Sequence, residues 1–168
     1  MKAQKISRFF LEMHTIKDLK YAKCLEKNLI IKKEININYD LSKFLYKEIG
    51  KDYNWKDRLY WSDNDWIRLI SNPNYELYTI LKNEDLIGYY ELIYDEYKNF
   101  EIAYFGILKE YFGKKIGGYL LCHAIENSFS KGAKRVWVHT CTLDHPNALK
   151  NYMSRGMKIF KSEELNVD

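Results

Sequence analysis

The sequence predicts an α/β domain in which a mixed, mostly antiparallel sheet of six to seven strands is flanked by about four helices. Three observations lead there. Residues 75–108 carry three alternating apolar segments separated by Asn83-Glu84-Asp85 and by Asp95 to Asn99, the pattern of an antiparallel meander. The third segment then runs through a Gly/Lys turn (Gly113, Lys114, Lys115, Gly117, Gly118) into residues with helical spacing: Ile116, Leu120, Leu121, Ala124, Ile125 and then Phe129. After Gly132 comes a segment rich in β-branched residues, Arg135 to Thr142, and a strand–helix–strand unit of this kind sets its two strands parallel.

The other elements follow in chain order. Residues 7–13 read as a short strand, and 16–27 fit either an amphipathic turn or a loop. Leu29 to Ile37 alternates loosely and is assigned to a strand. Asp40 is placed as the N-cap of a helix over Leu41 to Ile49, closed by Gly50. Ser62 or Asp63 caps a second helix carrying Trp66, Ile67, Leu69 and Ile70, stopped near Asn72-Pro73. The meander strands are Tyr75–Lys82, Leu86–Tyr94 and Phe100–Leu108. Asp144-His145-Pro146 opens a short helix over Asn147 to Ser154. Gly156 stops it, and Met157 to Phe160 makes the last strand.

Composition narrows the function classes. The 168 residues suffice for a single domain over 1–168, and 46% apolar content is too high for a disordered chain. The net charge of +4 is spread along the chain, which suits a small anionic ligand better than nucleic acid. No apolar run is long enough for a membrane span, and the basic N-terminus lacks a signal-peptide core. Cys24, Cys122 and Cys141 are widely spaced without a Cys-x-x-Cys pair, as expected of reduced thiols in the cytoplasm.

The Gly/Lys turn is the main functional signal. A strand that enters a helix through bare glycines leaves backbone N–H groups free at the helix start, where phosphate binds. The turn is neither Gly-x-Gly-x-x-Gly nor Gly-x-x-x-x-Gly-Lys-Ser/Thr, so the dinucleotide and P-loop fingerprints are missing. It resembles the Gln/Arg-x-x-Gly-x-Gly/Ala loop of GNAT-type acyl-CoA N-acyltransferases, with Phe112, Lys115 and Gly117 at the three signature positions. A second resemblance lies downstream: Ala148, Tyr152, Gly156 and Met157 keep the spacing of the family's Asn-x-x-Ala-x-x-x-Tyr-x-x-x-Gly-Phe, with His145 at the Asn position. The runs from Trp55 to Asp63 and from His139 to Leu149 are similar to a bacterial subgroup of that superfamily without an assigned substrate.

The resemblance implies transfer of an acetyl or other short acyl group from acyl-CoA to a primary amine of a small molecule or protein. Acetyl-CoA or another acyl-CoA is then the co-substrate, no metal is expected, and the protein is a monomer or homodimer. The cofactor-binding set it implies is Phe105, Ile107, Gly113, Lys114, Lys115, Ile116, Gly117, Gly118, Asn147 and Ala148. The backbone of Phe105 to Ile107 would hold the pantetheine amides, and Ala148 would leave room for the arm. Glu101 is the implied base and Tyr152 the acid that protonates the departing thiolate. Trp55, Arg58 and Glu91 are placed on the acceptor side, with Arg58 an anion anchor and Glu91 the substitute base; Trp66 is assigned to the core. Lys115 is expected to hold right-handed helical angles, its ammonium turned toward the phosphates. A non-catalytic CoA-binding regulatory module is the alternative, with a weak nucleic-acid binder ranked below it. His139 and Cys141, two apart on a strand, face one side, which permits a Cys–His nucleophile or, with Asp144 and His145, a metal site; a small buried hydrophobe is the ordinary role of such a cysteine.

Overall fold

The computed structural model describes residues 4–167. Its strands are β1 (Gln4–Met13), β2 (Leu29–Lys33), β3 (Tyr75–Lys82), β4 (Asp85–Tyr94), β5 (Asn99–Ile107), β6 (Arg135–Cys141) and β7 (Lys158–Val167). The helices are α1 (Tyr39–Gly50), α2 (Asp63–Ile70), α3 (Ile116–Ser130) and α4 (Ala148–Ser154). All seven strands form one sheet in the order β2-β3-β4-β5-β6-β1-β7, antiparallel except where β5 meets β6. This is the mixed α/β architecture the sequence predicts.

Several boundaries differ from the sequence reading. Asn38, not Asp40, caps α1: its side chain accepts the Asp40 N–H at 2.9 Å. Asp40 instead lies in the first turn, where its charge faces the positive end of the helix dipole. Gly50 is the last residue of α1 and keeps right-handed angles; a side chain there would collide with the Trp55 ring, 2.6 Å from the Cβ position. β2 stops at Lys33, short of Ile37, and Asn36 takes a left-handed turn (φ 54°). β7 outruns Phe160 because β1 pairs with it as far as Gln4↔Val167; as an edge strand it is charged and lacks the alternation of a covered one. Ser62 caps α2 in a capping box with Asp65.

Each face of the sheet has its own core. On one, Ile116, Leu120, Leu121, Ala124 and Ile125 of α3 pack over Leu11, Ile102, Val136 and Val138. On the other, Leu45 and Ile49 of α1 pack over Leu77 and Tyr89. Gly156 has φ +99° and an ideal Cβ there would lie 2.1 Å from the Asp18 carbonyl oxygen, so only glycine fits at the end of α4. Among the described residues no helix is long and apolar enough to cross a membrane.

The feature that creates a site is a parting of β5 from β6. They pair only at Asn99↔Arg135, Phe100↔Val136 and Glu101↔Trp137. Just beyond, β5 bulges: Leu92 opposes Ile102 while Glu91 opposes Tyr104, leaving Ala103 as the extra residue. The bulge bends β5 away and reverses which face its side chains take. Ile102 packs in the α3 core before it, whereas Tyr104 packs in the α1 core after it.

Candidate active site

Two cavities open where the strands part, and they share Tyr53, Phe105, Asp144 and Tyr152. The larger, about 610 Å³, runs from that junction to the start of α3. The smaller, about 410 Å³, lies between β5, β6, the N-terminal half of β1 and the segment Tyr53–Asp57.

The larger cavity ends at the glycine loop. Gly113 (φ +80°) has nothing within 4 Å of an ideal Cβ, so a ligand can reach its backbone. Lys115 is left-handed too (φ 62°, ψ 12°), contrary to the right-handed angles expected of it. It occupies the N-cap position of α3 without a side-chain cap bond, so the first N–H groups of the helix stay open. Gly117 is less crowded than Gly118, its Cβ position only in ordinary contact with Asn151 at 3.9 Å, whereas Gly118 is a packing glycine: its Cβ would meet Arg155 Nη1 at 2.4 Å and the Ala22 Cβ at 2.8 Å. Lys23, Lys150 and Arg155 bring further positive charge to the wall.

Of the predicted cofactor set, Phe105, Ile107, Gly113, Lys115, Ile116, Gly117, Gly118, Asn147 and Ala148 all line this cavity. Lys114 does not; its ammonium lies over the Tyr111 ring, 5.5 Å from the centroid. The Ile107 amide is already engaged, because its N–H donates to the Tyr53 hydroxyl at 3.3 Å and that hydroxyl donates to the Ile107 carbonyl at 3.5 Å. Strand alternation puts the Phe105 N–H and C=O on the same open side, and β6 does not pair with them. Ala22, Lys23, Asn151 and Arg155 were not anticipated. The signal was present for two of them, since Asn147, Asn151 and Arg155 recur at four-residue spacing beside the Ala148–Tyr152 stripe.

Tyr152 is buried at the junction, its ring 6.3 Å from Phe105, and no described protein group bonds its hydroxyl. Burial pushes this phenol well above its ordinary pKa, with Asp144 and Tyr53 adding to the effect. Tyr53 is pushed up to about 12, mainly by burial. Burial also raises Asp144, although its carboxylate accepts the Thr140 hydroxyl and the His145 N–H, both at 2.9 Å. His145 stacks edge-on against Phe112 at 4.7 Å and accepts the Asn147 N–H at 3.1 Å, which orients the approach to α4.

The smaller cavity has an aromatic wall of Tyr53, Trp55, Tyr104 and Phe105, with Trp55 and Tyr104 edge-to-face at 4.7 Å. Apart from Tyr53, Tyr104 and Tyr152, its titratable lining is Arg8, Lys56, Asp57, His139, Cys141 and Asp144. Asp57 accepts the Tyr104 hydroxyl at 3.2 Å. Asn54 donates to the Leu143 carbonyl at 2.6 Å and so latches the loop after α1 to the loop after β6. Among the described residues no group of three or more His, Cys, Asp and Glu is placed to hold a metal ion.

Besides Lys114, three predicted residues lie outside both cavities. Arg58 and Glu91 are buried and bonded to each other, Nη1 to the two carboxylate oxygens at 3.0 and 2.9 Å. The guanidinium lies over Tyr104 (4.3 Å) and Trp61 (4.8 Å), so the pair braces the aromatic wall and is not free to anchor an anion or accept a proton. Burial drives Glu91 upward while Arg58 opposes it. Glu101 belongs to the last closed β5–β6 pair, behind the parting, and lines neither cavity. Burial raises its pKa, Arg58 lowers it and Glu91 raises it further.

Comparison with known proteins identifies the architecture. No curated protein sequence matches the chain. Among solved structures, the GCN5-related N-acetyltransferase from Sphaerobacter thermophilus superposes with a TM-score of 0.70 at 10% identity, over 99% of this chain and 52% of that one. A GCN5-related N-acetyltransferase from Kribbella flavida gives 0.67 at 15% identity, over 99% of this chain and 60% of the other. The chain thus spans only about half the length of these two structures. An aminoglycoside acetyltransferase from an uncultured soil metagenomic sample, solved with trehalose, gives 0.63 at 16% identity over 78% of this chain and 89% of its own. The family described as Acetyltransferase (GNAT) family matches residues 39–157, from the start of α1 to the end of the α4 turn. With most of the chain matched and the fold shared, the chain belongs to the GNAT acetyltransferase family.

Proposed function

We propose that this chain moves an acetyl or other short acyl group from acyl-CoA to a primary amine of a small molecule or protein. The observation that carries the reading is the parting of β5 and β6, which joins a cavity ending at a basic, glycine-lined helix start to an aromatic one through Tyr53, Phe105, Asp144 and Tyr152. The phosphates of CoA fit the open N–H groups of α3 with Lys115, Lys23, Lys150 and Arg155 around them. The pantetheine arm fits along Phe105 and past Ala148 as an added strand would. The amine nitrogen attacks the thioester carbon, a C–N bond forms and the C–S bond breaks. Tyr152, kept protonated by burial, donates to the sulfur as it leaves. Glu101 reaches neither cavity, so any part it plays as base runs through water.

The acceptor side holds Arg8 and Lys56 against two carboxylates, both already hydrogen-bonded. That balance suits an amine of low charge with an apolar or aromatic body better than a polycation. The spaced, unpaired Cys24, Cys122 and Cys141 fit a cytoplasmic setting, and a monomer or homodimer is proposed. A second reading, a CoA-binding regulatory module without turnover, is favoured by Phe112 and the left-handed Lys115 in the loop. Calorimetry with acetyl-CoA followed by a thiol-release screen of amino acids, arylalkylamines, polyamines and aminoglycosides separates the two. Binding plus amine-dependent thiol release supports transfer. Binding without release supports the regulatory module, and no binding at high micromolar acetyl-CoA refutes both.

A further inference from the structure

We infer that His139 takes the proton from the acceptor amine in the transfer proposed above, an assignment that rests on that reading. A chain lying between β5 and β6 can go no deeper than their closed pairs, which end at Glu101↔Trp137. The next residue of β6 on the Trp137 face is His139, and it lines the acceptor cavity together with Ala103, Tyr104 and Phe105 of the parted β5. The thioester carried by an arm in this gap therefore ends beside the His139 ring.

The other titratable groups of that cavity fit the task less well: burial raises the pKa of the Tyr53, Tyr104 and Tyr152 phenols, which therefore hold their protons. Arg8 and Lys56 are cations and have no lone pair to offer. Asp57 accepts the Tyr104 hydroxyl, and Asp144 accepts both the Thr140 hydroxyl and the His145 N–H. Cys141 offers only a sulfur, a weak hydrogen-bond acceptor. The His139 ring packs against Phe10 (centroids 5.7 Å) and Trp137 (6.5 Å), and no described protein group bonds either ring nitrogen. It is half-buried on the same face as Cys141.

Burial, more than the surrounding charge, favours the neutral ring. Burial lowers its pKa, Arg8 from β1 lowers it further, and Asp57 from the loop before α2 opposes them. Glu12 of β1 is paired with Arg135, Lys161 and Glu163 of β7 with each other, and Glu101 of β5 sits behind the closed pair. A neutral imidazole has the free lone pair a base needs. In the balanced step, the amine loses one proton to His139 as its nitrogen bonds the acyl carbon, and the thiolate gains one from Tyr152. Solvent then takes the proton from the imidazolium and returns one to the phenolate.

The test uses acetyl-CoA with the best amine of the panel. His139→Gln should lower kcat/KM by about 10²–10⁴, abolish the fall in rate on the acid side and leave acetyl-CoA affinity unchanged by calorimetry. Retained binding also shows that the variant is folded. His139→Gly should recover part of the rate when imidazole is added, which a merely structural role would not produce. Full activity in the glutamine variant, or a lost rate with the acid limb intact and no response to imidazole, would overturn the assignment. A wild-type protein that binds no acetyl-CoA, or turns over no amine, would overturn the transfer reading itself.

Discussion

Replacing Lys115 with glycine separates two effects that the structure places on one residue. Its backbone is left-handed (φ 62°, ψ 12°), where a Cβ costs about 1–2 kcal/mol. Glycine removes that cost but loses roughly 0.4–1 kcal/mol to the freer unfolded chain. The net gain is about 0–1.5 kcal/mol, on the order of 0–6 °C in Tm for a chain of this size. Lys115→Ala keeps the Cβ and the strain, and so should melt with the wild type. The side chain acts separately. It lines the larger cavity and is exposed, and a bond from its ammonium to phosphate is worth about 1.5–3 kcal/mol before solvent screening. Both variants should therefore bind acetyl-CoA more weakly, on the order of tenfold, with the loss shrinking as salt rises. Scanning calorimetry reads the first effect and titration calorimetry the second. A glycine variant that melts below the alanine one would refute the strain argument, and wild-type affinity in either variant would show that the ammonium does not touch the phosphates.

Three further outcomes follow from the same geometry. Tyr152→Phe should lower kcat by about 10²-fold, the lower end for general acid catalysis because thiolates leave readily, with acetyl-CoA binding unchanged; unaltered turnover would make Tyr152 a packing residue. Arg58→Ala strands the Glu91 carboxylate in an aromatic box and should cost about 3–5 kcal/mol in urea unfolding, whereas Arg58→Met combined with Glu91→Leu should recover most of it; a mild single-variant loss would mean that water reaches Glu91. Glu101 has its folded pKa raised above the unfolded value, so it contributes stability below the unfolded carboxyl pKa and loses it as pH rises through the folded one. Glu101→Gln should thus raise Tm at neutral pH and leave it nearly unchanged in acid, a difference that melts at the two pH values would show or exclude.

The parts of this molecule legible in its sequence are those set by short-range periodicity. The Ile116–Ile125 stripe, the Asn83-Glu84 turn with both residues left-handed, and the Ser62 cap all depend on neighbours within a few positions. Element ends were less legible where a distant partner decides them. β7 runs to Val167 only because β1 is there to pair with it, and nothing in Lys161-Ser162-Glu163-Glu164 announces a strand. Arg58 shows the same limit for a side chain. An arginine among tryptophans in a polar run reads as an anion anchor until Glu91, far along the chain, is found beneath it.

The position of Glu101 has a more specific cause. An unbroken strand over 100–108 would put Glu101, Phe105 and Ile107 on one face, so that a base and the groups holding the pantetheine arm would look into the same space. The bulge at Ala103 breaks that parity. Glu101 keeps the Arg58–Glu91 side while Phe105 and Ile107 pack toward α3. A bulge adds one residue without changing the apolar pattern on either side of it, so alternation alone could not reveal it. The same residue ends the pairing with β6 and opens the gap. What turns Glu101 away from the two cavities therefore lies where the strands part, and the side chain that β6 presents at that opening is His139.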